Sequence, residues 1–221
     1  MTAAPIHLHA HDHEPGHPRR LDPRTITAPA VENRAPVRTT PLPTTGRFPP
    51  LFAVMGAHGG AATSTLARWW APAADTDRAW PASTHTTQRV LIAARLCLPG
   101  LIAAAERLRE WHADLTPAGV QVIGLVLTPI CPGRVPTVVR RYRATVAELI
   151  TPIYDIDWHD ELATLELHEL AEFIPGNRPP SRRRAGLTEA VPAEVARAGA
   201  DILARLSTER AAAHHATEAQ P

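Results

Sequence analysis

The sequence contains no lysine, so all 23 residues counted as Lys+Arg are arginine, and the formal net charge of the 221-residue chain is +1. Chemistry that needs a lysine amine is therefore excluded, including Schiff-base formation and the ammonium group of a phosphate-binding loop. The near-zero net charge argues against a protein that coats nucleic acid through bulk charge. The bias toward arginine, alanine and proline suggests a high-GC genome.

Cysteine and long apolar runs are also scarce. Cys97 and Cys131 are the two cysteines, and their separation fits neither a disulfide framework nor a zinc motif. We expect Cys131, which lies between Ile130 and Pro132, to be buried. No apolar run reaches the roughly 18 residues of a membrane helix, and no basic patch with an apolar core marks a secretory signal. The sequence therefore predicts a reduced, cytoplasmic protein that has no membrane segment.

Composition divides the chain into five parts. Residues 1–48 are rich in Pro, His, Thr and Arg and have no helical or strand period, so we expect a disordered tail. Residues 49–173 are expected to form an α/β domain, followed by a linker at 174–186. A C-terminal helix is expected within 187–212, and residues 213–221 form a second disordered tail.

Short apolar runs alternate with helical patterns across the domain. This alternation predicts βαβ units, and hence a small, mostly parallel sheet with helices on both faces and an extra C-terminal helix. Residues 71–88 show no clear period, so we expect a loop there. The Trp69–Trp70 pair indicates core and edge packing, or a protein contact if exposed. The expected strands are 51–55, 89–94, 120–127 and 153–156, and the expected helices are 64–70, 99–113, 135–150 and 192–212.

Two of the expected helices have an apolar stripe that should face the core. One lies on the helix at 135–150 and the other on the helix at 192–212, where Gly199 interrupts a helical pattern at a cost of roughly 1 kcal/mol relative to alanine. The stripes are Val138, Tyr142, Val146 and Leu149 on the first helix, and Val195, Ala198, Ile202 and Leu206 on the second.

A glycine-rich segment, Gly56–Thr65, joins the first expected strand to the first expected helix, which Thr63 or Ser64 would cap. A phosphate-binding loop needs a glycine-rich turn, a helix that follows it, and a lysine with a Ser or Thr that hold phosphate and magnesium. The segment supplies each of these except the lysine. We refer to Gly56–Thr65 as the glycine loop.

The glycine loop resembles the deviant Walker A loop of the MinD/ParA family, whose pattern is K-G-G-x-G-K-[ST]-T. Gly59, Gly60 and the Ser64–Thr65 pair agree with that pattern. It is also similar to a GAHGGAG-type loop found in actinobacterial proteins. The resemblance covers about residues 50–160 and implies a P-loop NTPase-like fold.

This sequence departs from the family pattern at its functional positions. His58 stands where the signature lysine would be, Ala62 replaces a glycine, and Thr63 replaces the phosphate-binding lysine. The strand at 89–94 runs into Arg95, so the magnesium-binding aspartate of a Walker B strand is missing there. Threonine supplies no charge to neutralise a transferring phosphoryl group. We therefore predict no hydrolysis and no catalytic residue.

The resemblance implies a ligand and its site if nucleotide binding is retained. The ligand would be ATP with magnesium. Thr128 follows the strand that carries a base-contacting asparagine in the family. The binding residues would then be His58, Gly59, Gly60, Ala61, Ala62, Thr63, Ser64, Thr65 and Thr128.

Three hypotheses for function remain open on the sequence. The first is a non-hydrolysing, degenerate MinD/ParA-like domain that acts as an interaction or regulatory module with an unknown protein partner. The second is a nucleotide-binding switch or weak NTPase of the MinD/ParA type, with an arginine supplied from elsewhere in the chain or by the second subunit of a homodimer. The third is a DNA-associated accessory of plasmid maintenance or conjugation.

Other polar groups are open to more than one interpretation. The histidines of the N-terminal tail could wrap Zn, Ni or Cu, or belong to a flexible polar tail. Acidic residues near 155–161 could bind a metal or act as general acid and base, or belong to a solvated loop with a helix N-cap. Arginines of the helix at 135–150 and of the linker could contact DNA phosphates or face solvent. These groups are His7, His9, His11 and His13; Asp155, Asp157, Asp160 and Glu161; and Arg140, Arg141, Arg143 and Arg182–Arg184.

Overall fold

Five parallel strands form the central sheet in a computed structural model, which describes residues 27–44, 49–176 and 185–218, with side chains described as far as residue 212. The sheet order is β3-β2-β5-β6-β7, and each neighbouring pair is parallel. The α/β class and parallel sheet predicted from sequence are confirmed. The strands are β2 (Phe52–Gly56), β3 (Ala73–Asp75), β5 (Arg89–Arg95), β6 (Gln121–Thr128) and β7 (Ile153–Asp155).

Helices cover both faces of this sheet. Alternate residues along the strands enter two separate apolar cores, as expected when both faces of a parallel sheet are buried. One core contains α1 and α4, and the other contains α2 and α3. The helices are α1 (Thr63–Trp69), α2 (Leu98–His112), α3 (Thr137–Ala147) and α4 (Ala193–Glu218).

The segment before the sheet is ordered, contrary to the prediction of a disordered tail over 1–48. Residues 27–44 contain β1 (Val37–Arg38), which pairs in parallel with β4 (Trp80–Pro81). Leu42 is buried, and the amide of Ala35 donates to the Glu110 carboxylate at 3.2 Å. These contacts with the domain supply the burial that the segment's composition could not supply alone. Residues 1–26 lie outside the described part.

The region expected to be a loop at 71–88 contains β3 and β4, so that prediction is wrong. Both strands have three residues or fewer, too few to show a period, and their pairing partners decide their conformation. The stripe predicted on α3 is right at Val146 and Leu149, which are buried, and wrong at Val138, which is 57% exposed while Val139 is buried instead. Cys131 is exposed in the connection between β6 and α3, so the prediction that it is buried is wrong.

The C-terminal helix packs closely on the sheet through its small residues. The predicted stripe from Val195 to Leu206 is buried, and the helix continues to Glu218 instead of ending at residue 212. A Cβ at Gly199 would lie 2.8 Å from ring atoms of Phe173 and 2.9 Å from Trp70. The absence of a side chain at Gly199 therefore permits the close approach of α4 to Phe173 and Trp70. No helix in the three described ranges combines the length and apolarity of a membrane span.

Candidate functional site

The glycine loop lies at the point where the sheet reverses its strand order. From β2 the chain passes through α1 to β3 on one side, whereas β5, α2 and β6 continue on the other side. The carboxyl ends of β2 and β5 therefore border a crevice, which is where open α/β sheets bind their ligands. The glycine loop and Arg95 lie at this crevice.

The loop keeps a glycine-like backbone at two positions. Gly60 has φ +74°, and the Ala62 residue has φ 68° in the left-handed region. A non-glycine residue in this region costs roughly 1–2 kcal/mol. Cβ atoms built at Gly59 and Gly60 would meet no atom within 4 Å, so both face open space. Ala62 therefore has a left-handed backbone conformation that glycine adopts without strain and that alanine adopts at a cost.

The first amides of α1, from Thr63 to Thr65, have no acceptor within the helix, whereas the amides at the start of the glycine loop are hydrogen-bonded to the protein. The amide of Gly56 donates to the carbonyl of Asp77 at 2.6 Å, and that of Ala57 donates to the carbonyl of Ala93 at 2.8 Å. Consecutive backbone N–H groups left open in a turn can bind an anion.

A carboxylate that sequence reasoning missed holds the start of α1. Asp75, the last residue of β3, accepts from the hydroxyl of Ser64 at 2.6 Å and from that of Thr63 at 3.2 Å. Its other oxygen accepts the amide of Asp77 at 2.8 Å. The prediction that Thr63 or Ser64 caps the helix is wrong, because Ala62 is the N-cap residue and these hydroxyls donate to Asp75 instead.

Arg95 closes the other side of the loop. Its Nε donates to the carbonyl of Gly60 at 2.7 Å, and its Nη1 donates to the carbonyl of Pro129 at 2.9 Å. The backbone amide of Arg95 donates to Nε2 of His58 at 3.0 Å, so the His58 proton lies on Nδ1, which is 2.8 Å from the carbonyl oxygen of Gly59. The guanidinium thus joins the glycine loop to the end of β6 by two hydrogen bonds.

Thr128 does not face the loop through its hydroxyl. It is buried, and its Oγ1 donates to the carbonyl of Ala94 at 3.5 Å. Its carbonyl accepts the amide of Leu96 at 2.7 Å. The structure therefore brings residues 58–65 together with Arg95 and Asp75, and leaves the Thr128 side chain inside the sheet.

A cavity of about 590 Å³ opens beside this site, between α1 and the outer edge of β3. Ser64 and Asp75 lie at its lining, together with Arg68 and His168. Arg68 donates from Nε to the carbonyl of Leu170 at 3.0 Å and from Nη2 to the carbonyl of His168 at 3.1 Å. The side chain of Arg68 is therefore hydrogen-bonded to the segment that forms one wall of the cavity.

The acidic residues near 155–161 are spread over separate structural contacts. Asp155 accepts from the guanidinium of Arg143 at 2.5 Å, Asp160 accepts from the Trp158 indole at 2.6 Å, and Glu161 accepts a backbone amide. Among the side chains the structure describes, no three His, Cys, Asp or Glu residues converge as a metal site would require. The predicted tail histidines (His7, His9, His11 and His13) and Arg182–Arg184 lie outside the described residues.

Comparison of this chain with known protein families, with curated proteins and with solved structures finds no match. The interpretation of the crevice therefore depends on its own residues and their geometry.

Proposed function

We propose that the chain is a non-hydrolysing, degenerate MinD/ParA-like domain that acts as an interaction or regulatory module. The observation that supports this most is that the protein itself engages the polar groups around the glycine loop. Arg95 is hydrogen-bonded to two backbone carbonyls, and Asp75 accepts the hydroxyls of Thr63 and Ser64. The sequence contains no lysine, so the crevice lacks the ammonium group that neutralises β- and γ-phosphate charge during transfer.

Exposed apolar side chains at the same edge of the sheet support an interaction role. Ile130 follows the carboxyl end of β6 and is 55% exposed, and Trp158 follows the carboxyl end of the paired strand β7 and is 41% exposed. Tryptophan is enriched among the residues that dominate binding at protein interfaces. This edge of the sheet is therefore the surface that we expect a protein partner to contact.

Copurification from the native host tests the interaction role. The double variant Ile130→Ser/Trp158→Ala should lose a partner that the wild-type chain retains. Leu115→Ser is the matched control, because Leu115 is 36% exposed and lies after the end of α2, at the other edge of the sheet. A partner retained by the double variant and lost by the control would place the interaction elsewhere and contradict the assignment.

A nucleotide-binding switch is the second candidate, and the pair of Ser64 and Asp75 favours it. A hydroxyl and a carboxylate 2.6 Å apart at the start of α1 are the oxygen ligands that Mg²⁺ prefers, and the open amides of the loop could meet phosphate. Calorimetry with ATP, ADP and GTP in the presence of magnesium tests this candidate. Saturable heat that Ser64→Ala removes would support it, and no heat up to millimolar nucleotide would reject it.

A further inference from the structure

The amino ends of β5 and β6 border a second concave site, at the edge of the sheet opposite to the glycine loop. A cavity of about 440 Å³ opens there, between the C-terminal half of α4, Trp111 of α2 and the first residues of β6. A hollow of about 310 Å³ lies next to it and shares Arg89 and Gln121 with it. These two residues begin their strands and are register partners, so the two hollows meet at this pair.

Arg89 is the charged residue common to both hollows, and its side chain donates no hydrogen bond to the described residues. Its Nε is buried and has no hydrogen-bond partner. Its ion pair with Oε2 of Glu209 spans 3.9 Å, which is too long for a hydrogen bond. Buried polar groups are hydrogen-bonded in the great majority of native structures. A partly exposed guanidinium with a buried, unpaired N–H beside a cavity therefore indicates an acceptor that a ligand supplies.

Arg205 of α4 brings a second guanidinium to the same cavity and is held in a fixed orientation. Its Nε donates to Oδ2 of Asp201 at 2.8 Å, and the hydroxyl of Tyr154 donates to the same oxygen at 2.7 Å. Hydrogen bonds from Tyr154 and Arg205 lower the pKa of Asp201, so this carboxylate remains charged at neutral pH. The side chain of Arg205 is about half-exposed and lines the cavity.

Apolar side chains form part of the remaining lining. Trp111, Ile202 and Leu206 line the cavity together with residues at the start of β6. Arg205 is paired with the charged Asp201 carboxylate at 2.8 Å, whereas Arg89 faces Glu209 at 3.9 Å, so Arg89 is the lining guanidinium without a hydrogen-bonded carboxylate among the described residues. A monoanion with an apolar body matches this combination of charge and wall. The cavity volume lies within the roughly 300–1,000 Å³ of small-molecule sites.

We propose that this cavity binds a small organic carboxylate. The guanidiniums of Arg89 and Arg205 bind its carboxylate, and its apolar body packs against Trp111 and Leu206. A carboxylate fits better than a phosphate ester, because the one guanidinium without a hydrogen-bonded carboxylate, that of Arg89, matches a single negative charge, and a planar guanidinium donates two parallel hydrogen bonds to a carboxylate. The site is separate from the glycine loop and does not depend on the function proposed for that loop.

Calorimetric titration of the full chain with 2-naphthoate tests the proposal, with uncharged 2-naphthamide as the matched ligand. Naphthoate should bind saturably, and Arg89→Gln should weaken it about tenfold, the effect of losing one charge-assisted contact. Glu209→Gln should strengthen binding about threefold or more, because it removes the carboxylate that competes for Arg89. Arg210→Gln, an exposed neighbour on α4 that does not line the cavity, should leave binding unchanged.

Four results would overturn the proposal. The first is no saturable binding of naphthoate at concentrations up to about 10 mM, because a specific site of this size should have a dissociation constant below that concentration. The second is equal affinity for naphthoate and naphthamide, which would remove the role of the charge. The third is weaker binding in Glu209→Gln, which would show that the carboxylate contacts the ligand instead of competing with it. Inorganic phosphate that binds in place of naphthoate with the same dependence on Arg89 would overturn the carboxylate assignment.

Discussion

Replacing Arg95 with alanine should destabilise the protein, because this arginine joins the glycine loop to the end of β6. The change removes hydrogen bonds of 2.7 Å to the carbonyl of Gly60 and 2.9 Å to the carbonyl of Pro129. A hydrogen bond that involves a charged group contributes roughly 1.5–3 kcal/mol. Because Arg95 is partly exposed, water screens these contacts, and we expect a total loss of about 1–3 kcal/mol in the free energy of unfolding.

Urea denaturation at neutral pH measures this loss. Arg95→Lys should fall between the wild type and Arg95→Ala, since an ammonium keeps the charge and lacks the fork that reaches two carbonyls. Arg141→Ala is the control, because Arg141 is an exposed residue of α3 that donates no side-chain hydrogen bond in the described part of the chain. Hydrogen exchange should also quicken at the amide of Arg95 and at Ala57.

Two outcomes would refute this reasoning. Arg95→Ala that unfolds at the same urea concentration as the wild type would show that the two contacts contribute nothing to stability. Unchanged stability together with a new loss of nucleotide binding would show that Arg95 serves a ligand. In that case the crevice would be a working site, and the second candidate function would be favoured.

Other perturbations test the fold and the loop separately. Ala62→Gly should stabilise the protein by about 0.5–1 kcal/mol, because glycine adopts φ 68° without strain, and no gain in thermal denaturation would show that the turn is unstrained. Gly199→Ala should cost about 1–2 kcal/mol, since a Cβ would lie 2.8 Å from the ring of Phe173 and overpacking exceeds the helix-propensity gain; a rise in melting temperature would contradict this. The pKa of Asp201 is lowered by its hydrogen-bond partners, including Arg205, so its stabilisation is present above the unfolded pKa and is lost as the pH falls through the folded pKa. Denaturation at pH 3 to 7 should show a smaller acid loss in Asp201→Asn, and an unchanged profile would disprove the linkage.

The longer elements could be predicted because their signals are local. The strand expected at 89–94 is observed as Arg89–Arg95, and the helix expected at 99–113 as Leu98–His112. The hydrophobic periodicity of a long element lies within its own residues, and the proline and glycine residues that flank it mark where it begins and ends. The same holds for the buried stripe of α4, where small and branched residues recur at helical spacing.

The shortest elements could not be predicted, because their partners decide them. β3 and β4 contain three residues or fewer, and each is a strand because it lies beside β2 or β1. The ordered segment at 27–44 has the composition of a disordered chain, and its few contacts to the domain hold it in place. Sequence spacing does not reveal contacts made over such separations.

The candidate site shows the same limit. The glycine loop was visible in the sequence, because its strand, turn and helix are continuous there. Asp75 was missed since its strand was interpreted as a loop, although it supplies a carboxylate at a strand end next to β2. Arg95 was noted only as the residue standing where an aspartate was expected. Its hydrogen bond to Gly60 joins residues 35 positions apart, which no local pattern reports.

Hydrolysis of ATP by the purified full chain tests the central proposal most directly. Phosphate release would be followed with magnesium present, at high protein concentration and over hours, beside the Ser64→Ala variant as a matched blank. The account predicts that wild type and variant release phosphate at the same rate as buffer, because the chain has no lysine and Arg95 is hydrogen-bonded to two backbone carbonyls. Phosphate release by the wild type that Ser64→Ala abolishes would contradict it.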